Sequence, residues 1–194
     1  MGIVVLAAGG STRLGTPKQL LTYQGRTLLR RAVETALEAA AGPVAVVLGA
    51  EAARMRAELA GLDVRVAENP DWAEGLSTSL HSGLAALDAP AAAGSAVDAA
   101  LFTTCDQPLV TSALLREIIG AYDVSHPAIV VCEYAGTVGV PALFSRALFP
   151  ELLALRGDAG AKRVIARHLP AVARVPFPDA VLDIDTAADV LRQF

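Results

Sequence analysis

Gly9-Gly10, Ser11, Arg13, Gly15 and Lys18 fall within a single short stretch near the start of the chain. Glycines carry no side chain, so a ligand can lie against the main chain and backbone angles closed to other residues become available. Successive N–H groups in such a turn form a concavity that binds anions. Arg13 adds a planar guanidinium fork and Lys18 a mobile point charge able to follow a phosphate as its geometry changes. This is the chemistry of a polyphosphate site. Two familiar versions of it are disfavoured. A dinucleotide fingerprint needs G-x-G-x-x-G opening directly into a helix, whereas here Gly9-Gly10 is followed next by Gly15. A P-loop needs Lys-Ser/Thr after its last glycine, and Thr16-Pro17 stands there instead, with Pro17 biasing Thr16 away from helix.

The loop must be delivered by the strand before it. Ile3-Val4-Val5-Leu6 is a continuous apolar run with the β-branched content of a strand buried on both faces, as in a parallel sheet. Helical spacing follows from Thr27 to Ala41, ended by Gly42-Pro43, then a strand over 43–49, a helix over about 50–59 and a shorter strand over 64–67. This alternation predicts a mainly parallel sheet with right-handed crossovers. A further strand, Ala99 to Cys105, ends on Asp106-Gln107-Pro108, a helix is expected over 112–122, and Ala128 to Cys132 is the next strand. Ligands of open α/β sheets bind at the carboxyl ends of the strands, where Asp106 emerges beside the glycine loop. Propensity alone favours reading Asp106 as a turn opener before Pro108.

Glu68-Asn69-Pro70-Asp71-Trp72 opens a turn, and Gly75 precedes a helical segment to about Leu87. Ser77 reads as the cap of that helix, with Trp72 plugging the core. The functional alternative sets Gly75 against base and ribose, with Ser77 and Ser79 supplying hydroxyls. Ala135 to Phe144 reads as a glycine-rich turn entering an apolar run. Gly157-Asp158-Ala159-Gly160-Ala161-Lys162 precedes a helix, either as an ordinary helix start or as a receptor for an anionic acceptor. His81, His126 and His168 share no ligand spacing and read as structural.

At 194 residues the chain is most simply one domain. A net charge of −4 and a pI near 5.3 argue against a nucleic-acid surface. Its apolar runs are too short to span a bilayer. Met1-Gly2 leads straight into the first strand without a charged-then-apolar leader, and Cys105 and Cys132 have neither disulfide-framework nor metal spacing, so a cytoplasmic location is expected.

In order, Leu6-Ala7-Ala8-Gly9, Ser11, Arg13, Gly15 and Lys18 resemble the signature L-A-A-G-x-S-x-R-x-G-x-x-K of the nucleotidyltransferases that activate sugars, isoprenoid precursors and the molybdenum cofactor. Asn69-Pro70-Asp71-Trp72 through Gly75 to Ser79-Leu80, and Thr16-Pro17-Lys18-Gln19-Leu20, are similar to the cytidylyltransferase branch of the molybdenum-cofactor, MobA-like enzymes. Gly139-Val140-Pro141-Ala142-Leu143-Phe144 looks like the acceptor-side G-x-P-x-L-F element, with Val140 where relatives often carry a polar residue, and Asp183-Ile184-Asp185-Thr186 like a late D-I-D-T element.

The resemblance implies a single-domain three-layer α/β/α sandwich, Rossmann-like, of the nucleotide-diphospho-sugar transferase type. Its nucleotide-binding half would cover about 1–110 and its acceptor-binding half about 111–194. The implied reaction moves CMP from CTP to molybdopterin and releases pyrophosphate, with a molybdenum hydroxylase as a possible receiver of the product. Other bases or acceptors (GTP with molybdopterin, sugar phosphates, methylerythritol phosphate) and a non-catalytic carrier stay open as alternatives. By the same resemblance Arg13 and Lys18 are catalytic. The nucleotide would lie against Leu6, Ala7, Ala8, Gly9, Gly10, Ser11, Arg13 and Lys18, with Gly75, Ser77 and Ser79 at base and ribose. The acceptor would meet Gly139, Pro141, Gly157, Asp158 and Gly160, and Mg²⁺ would sit on Asp106 and Asp185. A triphosphate needs a divalent ion held by a carboxylate, which favours the metal role of Asp106 over the turn.

Overall fold

A computed structural model describes residues 1–11, 15–89 and 96–181; Arg13 and Asp185 lie outside the described residues. The first strand, β1 (Gly2–Ala7), is buried throughout, as its unbroken apolar sequence requires. Short strands β2 (Thr22–Tyr23) and β3 (Arg26–Thr27) form a small separate hairpin, followed by α1 (Leu28–Ala39), β4 (Val44–Leu48), α2 (Ala52–Glu58), β5 (Arg65–Glu68), α3 (Leu76–Asp88) and β6 (Ala99–Thr104). The second part contributes α4 (Ser112–Ser125), β7 (Ile129–Tyr134), β8 (Thr137–Ser145), α5 (Phe149–Leu153), α6 (Lys162–His168) and β9 (Ala173–Pro176). Seven strands form one sheet in the order β5-β4-β1-β6-β8-β7-β9. All neighbours are parallel except β8, which runs antiparallel to both β6 and β7.

Alternation along β1 builds the three layers. Ile3 and Val5 face Leu29 and Val33 of α1, Met55 of α2 and Leu115 of α4 in one core, while Val4 and Leu6 face Leu80 and Leu84 of α3, Leu152 of α5 and Ile165 of α6 in the other. Helix ends follow local chemistry. Thr27 caps α1 by accepting from the Arg30 N–H at 3.2 Å, Thr111 caps α4 by accepting from the Leu114 N–H at 3.2 Å, and Ala40 and His126 close these helices in the left-handed region. Among the described residues no helix is long and apolar enough to cross a membrane.

Two segments gain a definite form and one expectation, the Ser77 cap, is corrected. The apolar run after Gly136 is a sheet strand: Ala135 and Gly136, with φ of 47° and 74°, make the two-residue turn of a hairpin that pairs Tyr134 with Thr137. Pro141 sits inside this interior strand because the ladder shifts there. Val131 pairs with Ala142 and Cys132 with Gly139, which leaves Val140 and Pro141 in a bulge where a missing N–H is tolerated. Ser77 caps nothing: α3 starts at Leu76 after Gly75, and Ser77 is buried in its first turn. Among the described residues of the first loop, left-handed backbone falls on Ser11 (φ 50°) and Gly15 (φ 73°), not on Gly9 or Gly10.

Candidate functional site

Leu6 of β1 pairs with Thr104 of β6, so the glycine loop after one strand and Asp106 after the other leave the same edge of the sheet side by side. They meet directly: Lys18 Nζ lies 2.5 Å from Asp106 Oδ2. Both side chains keep some exposure, 17% and 19%, at a cleft of about 390 Å³. Its floor is Leu6, Ala7, Ala8, Gly9 and Gly10, and its walls include Lys18, Asp106, Gly75, Ser79 and Asp158. That volume lies within the range of small-molecule sites.

The loop owes its shape to Gln19, a residue quoted in the family motif but given no role there. Gln19 is 1% exposed, and its Nε2 donates to the carbonyls of Ala7 (2.9 Å) and Gly9 (2.7 Å). Its Oε1 accepts from the Ser11 hydroxyl at 3.2 Å, and Ser11 Oγ in turn accepts the Lys18 N–H at 2.9 Å. One amide therefore fixes the path from the last residue of β1 to the lysine. A buried polar group left without partners costs about 1–3 kcal/mol. Gln19→Leu strips the Ala7 and Gly9 carbonyls of their donor, and we expect a loss of about 2–3 kcal/mol in urea unfolding together with at least about a tenfold drop in kcat/KM. Wild-type values for both would show that the loop holds itself.

The two glycines differ in purpose. A Cβ on Gly9 would meet nothing within 4 Å, so the main chain there is open to a ligand, whereas one on Gly10 would come within 2.9 Å of the Trp72 ring. Trp72 is half-buried, forming part of the cleft wall as well as packing on the core.

Asn69 is the second organising amide. Buried at 3% exposure, it donates from Nδ2 to Thr78 Oγ1 (2.8 Å) and Ser79 Oγ (3.0 Å), and its Oδ1 accepts from the Asp71 N–H at 3.0 Å. Ser79 is thereby held at the cleft wall, while Ser77 is buried off the cleft lining and uses its backbone N–H to donate to the Gly157 carbonyl at 3.1 Å. Gly75 has φ 120°, and a Cβ there would overlap the Gly157 carbonyl group. This close approach brings the Gly157-Asp158 segment to the cleft. Gly160 packs under Leu76, with 2.7 Å between its would-be Cβ and the leucine Cδ2. Gly139 and Pro141 are on β8, with Gly139 against Tyr134 and the Lys162 stem, and neither lines this cleft.

Cys105 lines the cleft next to Asp106, but neither cysteine offers a reactive thiol. Burial, reinforced by the Asp106 carboxylate and opposed by Lys18, pushes the Cys105 thiol up to about 12, and burial with Glu117 does the same for Cys132. Both stay as neutral thiols at pH 8, unsuited to nucleophilic attack. Native protein at pH 8 should resist iodoacetamide at both positions and label rapidly in urea; fast labelling of the folded protein would contradict the burial of these groups. His81 Nε2 lies 3.2 Å from the Leu152 carbonyl and His168 Nε2 2.8 Å from Glu151, both structural contacts.

Among the described residues no three His, Cys, Asp or Glu gather to hold a metal. Asp106 does suit a divalent ion bound together with phosphate: it is an oxygen donor open to the cleft, and a cationic ammonium already stands at its Oδ2.

A mainly parallel sheet with a glycine loop after its first strand, and a carboxylate after the neighbouring strand that meets a loop lysine, is the arrangement of a nucleotidyltransferase. The chain belongs to the MobA-like NTP transferase family, whose domain model matches residues 3–172. Nicotine blue oxidoreductase of Paenarthrobacter nicotinovorans is 44% identical over 84 residues, which is 43% of this chain and only 41% of that protein's length. The molybdenum cofactor cytidylyltransferase of Escherichia coli K12 is 22% identical over 97% of this chain and 92% of its own. The crystal structure of Rv0371c from Mycobacterium tuberculosis H37Rv superposes with a TM-score of 0.80 at 36% identity, covering 99% of this chain and 96% of that one. A further structure of that protein is a complex with manganese (TM-score 0.77, 33% identity, 99% and 96% coverage).

Proposed function

We propose that this nucleotidyltransferase moves CMP from CTP to the phosphate of molybdopterin. An acceptor phosphate oxygen attacks the α-phosphorus, the bond from that phosphorus to the bridging oxygen of the β-phosphate breaks, and pyrophosphate leaves from the opposite side. Both partners are anions, so the protein's task is to cancel repulsion and hold the line of attack, as in phosphoryl transfer generally. Support comes above all from one juxtaposition, Lys18 meeting Asp106 over a cleft floored by the glycine loop. Full-length similarity to the E. coli enzyme favours this acceptor and base among those the family offers.

In this proposal loop N–H groups and Arg13 hold the leaving pyrophosphate, and Lys18 bridges the α-phosphate and the incoming oxygen. Asp106, with Asp185, holds Mg²⁺, which when bound neutralises charge on the phosphates. Ser79, oriented by Asn69, and Gly75 face base and ribose, Ser77 supports them from behind, and the acceptor enters along Gly157, Asp158 and Gly160, with Gly139 and Pro141 at the outer end. The nucleotide half would be about 1–110 and the acceptor half about 111–194. The product would pass to a cytoplasmic molybdenum hydroxylase.

Purified protein with each triphosphate, Mg²⁺ and a panel of acceptors tests this directly. Pyrophosphate release requiring both CTP and molybdopterin is the expected result. Release with GTP, a sugar phosphate or methylerythritol phosphate would reassign the substrate, and binding without release in every combination would make the protein a carrier.

A further inference from the structure

We propose that Lys18 and the divalent ion compete for Asp106: without nucleotide the lysine ammonium holds the cation position, and the triphosphate draws it away, so that the metal enters with the nucleotide and not ahead of it. The proposal rests on the nucleotidyl-transfer site described above and adds to it an order of events.

The distance carries the first step. At 2.5 Å from Nζ to Oδ2, the ammonium occupies the space that a second cation would need at that oxygen. Two cations on one carboxylate repel, and at 17% and 19% exposure the repulsion is less screened than at an open surface. The second step concerns alternatives. Among the described residues the carboxylates lining the cleft are Asp106 and Asp158, and the Asp106 oxygen facing the loop is already engaged by Lys18. An ion arriving on a triphosphate brings its own oxygens, the usual manner for Mg²⁺.

The third step is mobility. The Lys18 main chain is pinned, its N–H bonded to Ser11 Oγ at 2.9 Å and the following Gln19 fully buried, so the backbone need not move. The four-carbon stem can swing the ammonium from Asp106 toward phosphates seated on the glycine loop. A triphosphate carries more negative charge than one carboxylate, which sets the direction of that swing. The carboxylate is released as the metal reaches it, and the lysine arrives where the reacting phosphate lies.

Titration of the 194-residue protein with Mn²⁺ in the absence of nucleotide, with free Mn²⁺ read by electron paramagnetic resonance, separates the possibilities. Lys18→Gln should bind Mn²⁺ roughly tenfold more tightly than wild type, the size of an ordinary coupling between two sites. Lys18→Met, which keeps the length of the stem without its charge, should do the same and guards against a variant-specific fault. Asp106→Asn should abolish the binding. Unchanged or weaker affinity in both Lys18 variants, with binding still lost in Asp106→Asn, would overturn the competition while leaving the site intact. Wild-type binding in Asp106→Asn would overturn the metal site itself.

Discussion

Asp106→Asn and Lys18→Ala should each lower nucleotidyl transfer by about 10³-fold, the scale on which enzymes lose preorganised charge at a developing transition state. The two side chains meet at 2.5 Å, so each variant removes a charge from the same point of the cleft. Asparagine keeps the shape of Asp106 but not its charge, so a divalent ion is no longer retained against the phosphates. Alanine at 18 removes the ammonium while the pinned backbone of Lys18 and buried Gln19 keeps the loop in place. Folding should change little, within about 1 kcal/mol, because a partly exposed ion pair contributes modestly to stability. Pyrophosphate release and thermal melts measured on the same preparations check both halves. Turnover within about tenfold of wild type in both variants would refute the assignment of these residues.

Gly75→Ala is expected to cost about 4 kcal/mol, combining left-handed strain with forced separation of packed backbone. At φ 120° the added Cβ would overlap the Gly157 carbonyl group, and the Ser77 N–H to Gly157 bond of 3.1 Å would break as the segments part. For a chain of this length that corresponds to a fall in Tm of about 10 °C. Gly157→Ala is the informative contrast. Its Cβ would have 3.9 Å to the nearest atom, the Glu74 carbonyl oxygen, so only the φ of 61° is unfavourable, at about 1–2 kcal/mol. Equal losses in the two variants would mean that backbone angle alone matters and that the contact between the loops contributes nothing.

The layered architecture was legible because it is written in local pattern. Ile3 to Leu6 and Val44 to Leu48 are unbroken apolar runs that only a sheet covered on both faces accommodates, and Thr27 and Thr111 announce the helices after them. The β7–β8 hairpin was hidden for two reasons. Ala135 is an unusual residue for a turn position with positive φ, and Pro141 argues against an interior strand unless a bulge is foreseen. β9 has only Ala173 to Pro176, too little sequence for a period to show. Within the site, the glycine loop, Lys18 and Asp106 announced themselves by type and spacing. Gln19 and Asn69 stood inside quoted motifs but their roles did not show, because each acts by satisfying backbone or hydroxyl groups that become neighbours only in the folded chain. Gly75 was noticed for a ligand, whereas its contact with Gly157, 82 positions later, is a long-range packing fact that spacing cannot encode.

Trp72 is the sole tryptophan of the chain, and its ring leans on Gly10 at the edge of the cleft. The molecule thus carries a built-in optical reporter, free of background from other indoles. A pyrimidine or purine base settling beside the glycine loop changes the polarity around that ring, so emission intensity and wavelength would register ligand occupancy without labels, substrate turnover or chemical modification.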